Sequence, residues 1–253
     1  MRPYILEETN WKAVKETKYD LAILPWGATE AHNYHLPYGT DSIQVSKISA
    51  ESARIASSNG AKIIVLPTIP FGVNTGQTDI PLTMNINPST QFIILKDIIQ
   101  NLINSGIDKL MIVNGHGGND FKQIIRELGV QFPNMFIGFT NWFQAFNRDD
   151  FFEEPGDHAD EMETSILMHI SPKLILPIDE AGNGDSKKFK VKALNESWVW
   201  TERKWTSVSS DTGIGNPKKS TKEKGEKFFI YITNKLSRLF VDLSKADIDN
   251  MYE

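Results

Sequence analysis

The chain has 253 residues, of which 40% are hydrophobic and 23% are charged, and this composition is typical of an ordinary globular protein. Its formal net charge of −5 argues against nucleic acid or an anionic membrane surface as the main partner. There is no cysteine, which excludes disulfides, thiolate nucleophiles and cysteine-ligated zinc. Any metal would therefore be held by histidine, aspartate, glutamate or weaker oxygen donors.

Runs of apolar residues predict four strands, at 21–25, 62–66, 109–113 and 135–139. Spacings of three and four, with plausible start signals, predict helices at 41–57, 89–105, 120–128, 160–170 and 221–239. Asp41 and Ser89 are the expected N-caps of the first two helices. This alternation predicts one α/β domain over residues 1–253, with a mostly parallel central sheet flanked by helices on both faces.

Two long segments lack a regular pattern. Residues 67–88 contain four prolines, and a loop of that length in a compact domain is usually functional or disordered. Residues 184–224 are polar but carry Trp198, Trp200 and Trp205, so we expect this segment to pack as an inserted flap, an edge hairpin or a subunit contact. No apolar run reaches the roughly 18 residues of a membrane span. The N-terminus lacks a signal-peptide pattern, so a cytoplasmic location is the default prediction.

Four of the five histidines, His32, His35, His116 and His158, follow predicted strands or precede a predicted helix. Sites in open α/β sheets form at the carboxyl ends of the strands, so these loops are where a site is expected. The fifth, His169, falls late in a helix and is interpreted as structural or facing solvent.

Glu30, His32 and Asp41 lie within twelve residues after the first strand. In extended backbone, residues two apart point to the same side, so Glu30 and His32 could face one metal or one each of a pair. Asp41 could bridge two cations at its helix start. Taken singly, Asp41 could only cap the helix and His32 could be an ordinary hydrogen-bonded histidine, but the combination favours a metal site.

His116 lies in Asn-Gly-His-Gly-Gly-Asn, residues 114–119, directly after a strand. Its glycines, Gly117 and Gly118 among them, allow tight backbone turns and leave room for a substrate or metal. A phosphate loop is the alternative, but the pattern matches neither common nucleotide motif.

Residues 157–165 bring together five ionisable groups within seven residues, which is costly unless cations neutralise them. An acidic helix start is the alternative, and we prefer it for Asp160. For Glu161, that alternative and a role in supporting a metal ligand are equally consistent with the sequence. Glu163 lies on a different face of the helix from Glu161. His158 could act as a general acid or stabilise an oxyanion.

Together these nitrogen and oxygen donors suit Zn²⁺, Mn²⁺ or Fe²⁺. A shared carboxylate suggests two metals about 3.5–4 Å apart.

The motifs resemble those of the creatininase (creatinine amidohydrolase) family. The resemblance rests on residues 24–32, 35–41, 114–119 and 158–165, with a weaker echo at 213–217 and 223–226. These blocks span roughly residues 20–230 in the family's order.

The resemblance implies an α/β fold, a dinuclear centre, most simply of zinc, and a homo-oligomer such as a hexamer. Glu30, Asp41 and His116 would hold one metal, and His32, the shared Asp41 and Glu163 the other, with a hydroxide between them. The remaining implied roles are proton transfer at the scissile C–N bond by His158 with Glu161 near it, and substrate contact by Trp142 and the motif glycines Gly117 and Gly118.

Departures from the family pattern alter the walls of the expected pocket. Gly118 stands where creatinine-hydrolysing members have a glutamate, and Asn33, Leu82 and Asp160 stand where the family usually has glycine. We therefore expect a small cyclic amide or a formamide as substrate rather than creatinine. A catalytically silent metal-binding scaffold and a peptide-cleaving enzyme, with 67–88 as its groove, are the alternatives.

Overall fold

The computed structural model describes residues 2–196 and 198–253. Its central sheet has four parallel strands in the order β2-β1-β3-β4, and two further strands, β5 and β6, form a separate antiparallel pair. The strands are β1 (Leu21–Trp26), β2 (Ile63–Val65), β3 (Lys109–Asn114), β4 (Phe136–Asn141), β5 (Gly156–His158) and β6 (Ile214–Gly215).

The helices alternate with the sheet strands as predicted. They are α1 (Trp11–Glu16), α2 (Thr40–Ser58), α3 (Pro88–Asn104), α4 (Lys122–Gln131), α5 (Glu161–Ile170), α6 (Lys192–Asn195), α7 (Trp205–Val208) and α8 (Lys222–Lys245). The predicted α/β class and parallel sheet are confirmed. Among the described residues, no helix is long and apolar enough to cross a bilayer.

Two helix starts differ from the expected ones. Helix α2 begins after Gly39, so Asp41 lies in its first turn and is not the N-cap. Helix α3 begins with Pro88 after Asn87, one residue before the expected cap Ser89. Proline suits the first helical position because the backbone N–H it lacks would have no partner there. Because Asp41 does not cap α2, its carboxylate is available for other contacts.

Strand β1 is buried on both faces, which explains why its sequence is a continuous apolar run. Leu21 and Ile23 pack into one core cluster with residues of α2 and α8. Ala22, Leu24 and Trp26 pack into a second cluster with residues of α3 and α4. The sheet therefore separates two apolar layers, the first covered by α2, α5 and α8 and the second by α3 and α4.

The carboxyl ends of three neighbouring strands meet at one edge of the sheet. Trp26 at the end of β1 is in register with Asn114 of β3, which is in register with Asn141 of β4. The loops that follow these strands therefore leave the sheet side by side.

The segment 184–224, to which the sequence assigned no single structure, forms α6, α7 and β6, and β6 pairs with β5. It lies against the same edge and belongs to the site described next.

Candidate metal centre

Asp41 lies at the centre of a buried cluster of carboxylates and histidines. Its Oδ1 atom is 3.0 Å from His32 Nε2, and its Oδ2 atom is 3.0 Å from His116 Nδ1. Glu30 Oε1 lies 2.8 Å from the same His116 nitrogen. Each oxygen of Asp41 thus faces a different histidine, which is the arrangement expected of a carboxylate shared between two cations.

In both His32 and His116, the ring nitrogen that does not face Asp41 lies against a backbone carbonyl oxygen, which orients the ring. His32 Nδ1 is 3.1 Å from the carbonyl oxygen of Glu30, and His116 Nε2 is 3.0 Å from that of Val73. These carbonyls can only accept, so the nitrogens facing them carry the ring protons. In the neutral rings, the nitrogens that face the carboxylates are then bare lone pairs. Metal-ligating histidines are typically held in this way.

Glu163 and His158 complete the cluster from the segment around α5. Glu163 Oε2 is 3.9 Å from His32 Nε2 and accepts a hydrogen bond of 2.5 Å from the backbone N–H of Ala159. His158 Nδ1 is 3.8 Å from Glu30 Oε1, and its Nε2 is 2.7 Å from the carbonyl oxygen of Ala31. Potential ligand atoms lie within 4.8 Å of one another in three sets, Glu30-Asp41-His116, His32-Asp41-Glu163 and Glu30-His32-His158.

The charge balance of the cluster fits bound cations. Glu30, Asp41 and Glu163 are all buried, and among residues 2–196 and 198–253 no lysine or arginine forms an ion pair with them. Asp41 Oδ2 accepts no hydrogen bond of good geometry, although His116 Nδ1 is close to it. Buried anionic groups without compensation are costly. A divalent ion between these oxygens and the nitrogens of the neutral histidine rings would remove that cost.

The pKa shifts in the cluster also arise from burial and from the crowding of carboxylates. Burial alone would lower the pKa of His32, but the neighbouring carboxylates, Asp41 foremost, raise it to about 10. Burial likewise opposes protonation of His116, yet Glu30 and Asp41 raise its pKa well above the ordinary value. Burial raises the pKa of Glu163 to about 8, against the lowering effect of His32. The raised pKa values of the two histidines follow from the buried carboxylates around them, which favour the charged form of the rings.

A network of side-chain amides fixes the loop that carries His116. Asn114 donates to the carbonyl oxygen of His116 at 2.8 Å and to Asn141 Oδ1 at 2.8 Å. Asn119 donates to Asn114 Oδ1 at 2.9 Å and accepts from the backbone N–H of Val73 at 3.0 Å. The two asparagines of the motif therefore hold β3, β4 and the 67–88 loop in one arrangement around His116.

Gln77, on the long loop, supports Glu30 in a way the sequence did not reveal. It is buried, and its Nε2 donates a short hydrogen bond to Glu30 Oε2, which leaves Oε1 facing His116. The 67–88 loop thus contributes the Gln77 amide, whose partner is 47 residues away, in addition to the Val73 carbonyl oxygen at His116. Neither periodicity nor local motif marks such a residue.

Glu161 was expected near the scissile bond, and this prediction is wrong. It is fully buried and points away from the cluster: Oε2 accepts from the backbone N–H groups of Glu153 and Glu154 at 2.9 and 2.7 Å. Its Oε1 forms an ion pair with Lys224 of α8. Glu161 therefore connects α5 to α8 and to the 153–154 loop. Asp160, by contrast, caps α5 as expected, accepting from the backbone N–H groups of Met162 and Glu163.

Trp142 was expected to line the substrate pocket, and this prediction is also wrong. Its side chain is 1% exposed and belongs to the apolar core, with its ring 6.2 Å from that of Phe228. It does not line the cavity beside the cluster. The aromatic residues that do border the cavity are Phe139, Phe143, Phe146, Trp200 and Trp205, and the two tryptophans come from the segment 184–224.

A cavity of about 700 Å³ opens at this cluster of carboxylates and histidines. Gly117 and Gly118 lie on its wall, but they differ in the space around them. A Cβ atom on Gly117 would meet nothing within 4 Å, whereas one on Gly118 would lie 2.2 Å from the carbonyl oxygen of Val73. The predicted site residues Glu30, Asp41, His116, His158 and Glu163 all border this cavity.

The fold and cluster define an α/β protein with a candidate metal centre at the carboxyl ends of parallel strands. The family model for creatininase, described as creatinine amidohydrolase, matches residues 7–240 of this chain. The chain belongs to the creatininase family, and the resemblance in its motifs is confirmed.

Relatives in this family are hydrolases with different substrates. A mycofactocin precursor peptide peptidase of Mycolicibacterium smegmatis is 25% identical over 216 residues, covering 85% of this chain and 81% of its own length. A 3-dehydro-scyllo-inosose hydrolase of Thermotoga maritima is 28% identical over 195 residues, covering 65% of this chain and 60% of its own.

Solved structures confirm the fold. A proposed creatinine amidohydrolase from Bacteroides fragilis is 43% identical, with a TM-score of 0.94 and full coverage of both chains. A mutant creatininase of the Zn–Zn type has a TM-score of 0.78 at 19% identity, covering 96% of this chain and 99% of that one.

Proposed function

We propose that this protein is a metal-dependent hydrolase that cleaves a non-peptide amide C–N bond of a small cyclic amide or a formamide. The observation that carries the proposal is the Asp41 carboxylate, whose two oxygens face His32 Nε2 and His116 Nδ1 at 3.0 Å each. Membership of a family of hydrolases supports it.

The residues that would hold two divalent ions fall into two sets that share Asp41. Glu30, Asp41 and His116 form one set, and His32, Asp41 and Glu163 form the other. Zinc is the first choice, because nitrogen and oxygen donors suit it and the Zn–Zn creatininase shares the fold; manganese or iron would accept the same donors. Divalent ions in such sites polarise a carbonyl oxygen and activate water near neutral pH.

The chain's own residues would orient the substrate and move protons. His158 Nδ1 points to the Glu30 side of the cluster, where it can transfer a proton to or from the scissile bond. Gln77 keeps Glu30 in its ligand position. Gly117 leaves the cavity wall open next to His116, so a substrate carbonyl can approach the cluster closely.

Peptide cleavage is a second candidate, favoured by the size of the cavity. A volume of about 700 Å³ is in the range of sites for drug-sized ligands and exceeds what a small cyclic amide needs. The mycofactocin peptide peptidase is a relative.

A homo-oligomer remains part of the proposal; the exposed side chains of Trp198 and Trp200 are candidates for its contacts, and light scattering would test it.

Metal analysis followed by a substrate panel tests the proposal. We expect purified protein to bind two divalent ions per chain, and Asp41→Asn to lose both because both sets share it. Asp97→Asn, at an exposed position on α3, is the matched control and should retain both ions. The zinc-loaded protein is then assayed on formamides, cyclic amides and short peptides. Absence of stoichiometric metal, or turnover of none of these, would contradict the proposal; turnover of peptides alone would select the second candidate.

A further inference from the structure

Trp205 lies on the cavity wall next to His158, although it comes from a distant part of the chain. Its ring is nearly buried, at 9% exposure, and packs with Ala31, Ile80 and Ile214. Its Nε1 donates to the carbonyl oxygen of Thr212 at 2.8 Å. The ring is therefore fixed at both its apolar face and its polar tip.

The His158 ring contacts two other rings. The Trp205 ring meets it edge-on, with centroids 5.2 Å apart and an interplanar angle of 80°. The His32 ring also packs against it, with centroids 4.2 Å apart and an interplanar angle of 34°. The hydrogen bond from Nε2 to the carbonyl oxygen of Ala31 fixes the remaining rotation, so Nδ1 is directed toward Glu30.

Arg203 ties Trp205 to the strand that carries His158. Its guanidinium carbon lies 4.7 Å from the Trp205 ring centroid, and its Nη2 donates to Asp157, the neighbour of His158, at 2.9 Å. Thr206 donates to Asp79 at 2.7 Å, and Thr75 donates to Glu202 at 2.9 Å. These contacts attach the Trp205 segment to the same loop that carries Gln77.

We propose that Trp205 is a positioning residue, which holds the His158 imidazole in the orientation needed for proton transfer at the scissile bond. This inference rests on the proposed function, because it assigns a role to the neighbour of a proposed proton-transfer group. Trp205 contacts the histidine through its ring, and its one hydrogen-bond donor is used on Thr212 and not on a carboxylate of the cluster, so its loss should impair the chemical step and leave the metals in place.

Steady-state kinetics of zinc-loaded variants provides the first test. Misplacing a catalytic group by about 1 Å costs on the order of a hundredfold in rate. Trp205→Leu should therefore lower kcat by roughly tenfold to a hundredfold with KM nearly unchanged, on the same scale. Trp205→Phe, which keeps an aromatic edge, should recover most of the rate. Trp11→Leu, at an exposed tryptophan outside the cavity, is the control and should behave as the native protein.

A double-mutant cycle distinguishes positioning from general packing. If Trp205 acts through His158, then Trp205→Leu should have little further effect on kcat in a His158→Ala background. An equal loss in both backgrounds, or a change confined to KM, would overturn the proposal. Metal content is measured for every variant, and loss of zinc from Trp205→Leu would also overturn it.

The imidazole nitrogen spectrum of His158 gives a test that does not require activity. In zinc-loaded native protein, ¹⁵N shifts should report one neutral tautomer with its proton on Nε2, assigned with the aid of a His158→Gln variant. Trp205→Leu should give averaged shifts, and unchanged shifts would contradict the proposal. If the native protein cleaves no amide, the proposed function fails, and this spectrum still decides whether Trp205 fixes the histidine.

Discussion

The hydrogen bond between His116 Nε2 and the carbonyl oxygen of Val73, 3.0 Å long, occupies the space beside Gly118. A Cβ atom on Gly118 would lie 2.5 Å from that nitrogen and 2.2 Å from that oxygen. The chain therefore has no room at this position for the glutamate expected there from the family pattern. The carboxylate that completes the second set of candidate ligands comes instead from Glu163 on α5.

Substituting the two motif glycines should give opposite results. Gly118→Glu should separate Val73 from His116, weaken metal binding and destabilise the protein by about 1–3 kcal/mol, the usual cost of forcing atoms into a packed site. Gly117→Ala is the matched control, since its Cβ would meet nothing within 4 Å. Metal titration and thermal unfolding measure both effects. A Gly118→Glu protein that binds metal more tightly than the native one would show that the loop moves aside to admit a new ligand.

Glu161 and Glu163 are two residues apart on α5, yet we expect their substitutions to affect different properties. Glu161→Gln weakens the link to Lys224, and loss of a charged hydrogen bond should cost about 1.5–3 kcal/mol of stability. Its zinc content and kcat should stay close to native, because the side chain points away from the cavity. Glu163→Gln should reduce zinc from two ions to one per chain with a smaller effect on unfolding. Metal analysis and denaturant unfolding of the two variants separate these roles, and a loss of activity in fully loaded Glu161→Gln would restore the original prediction for that residue.

The main features of the fold and cluster could be predicted because they depend on local patterns. The apolar run of β1 and the helix periodicity indicate a parallel sheet, and strand ends place Glu30, His32 and His116 at one edge. Glu161 could not be separated from Glu163 in this way, since both are acidic residues of one helical turn. Their roles depend on Lys224, a partner 63 residues from Glu161.

Contacts between distant segments account for the residues that were missed. Trp205 reaches His158 only because β6 pairs with β5 and brings the segment 184–224 across the cavity. Trp142 follows β4 in sequence, as a pocket residue would, but its ring turns into the core against Phe228. The direction in which a side chain points after a strand is set by packing, which periodicity does not describe.

His35 should make the stability of the protein depend on pH. Its Nε2 contacts Thr164 Oγ1 at 2.8 Å, its Nδ1 has no partner, and burial lowers its pKa to about 4. In the unfolded chain the pKa of histidine is about 6.5, so below that pH the unfolded chain binds a proton that the folded chain does not accept. The stability that neutral His35 contributes is therefore complete above pH 6.5 and is lost as the pH falls toward 4, by at most about 1.4 kcal/mol per pH unit. Denaturant unfolding of native and His35→Asn proteins at constant zinc should give curves that converge as the pH falls. Curves that stay parallel between pH 6.5 and 4 would contradict this assignment.

Leu82 retains backbone strain at a position where the family usually has glycine. Its φ angle is 62°, in the left-handed region, and its side chain is 74% exposed, so little packing offsets the strain. This conformation costs a non-glycine residue about 1–2 kcal/mol, and the extra chain entropy of glycine offsets about 0.5–1 kcal/mol of that. Leu82→Gly should therefore stabilise the protein by up to about 1 kcal/mol, which corresponds to roughly 2–4 °C in Tm for a chain of this size. Leu82→Ala is the matched control: it removes the same exposed side chain but keeps the Cβ atom, so it should give no comparable gain. If alanine raises Tm as much as glycine does, the benefit comes from removing an exposed apolar group and the strain at residue 82 is negligible.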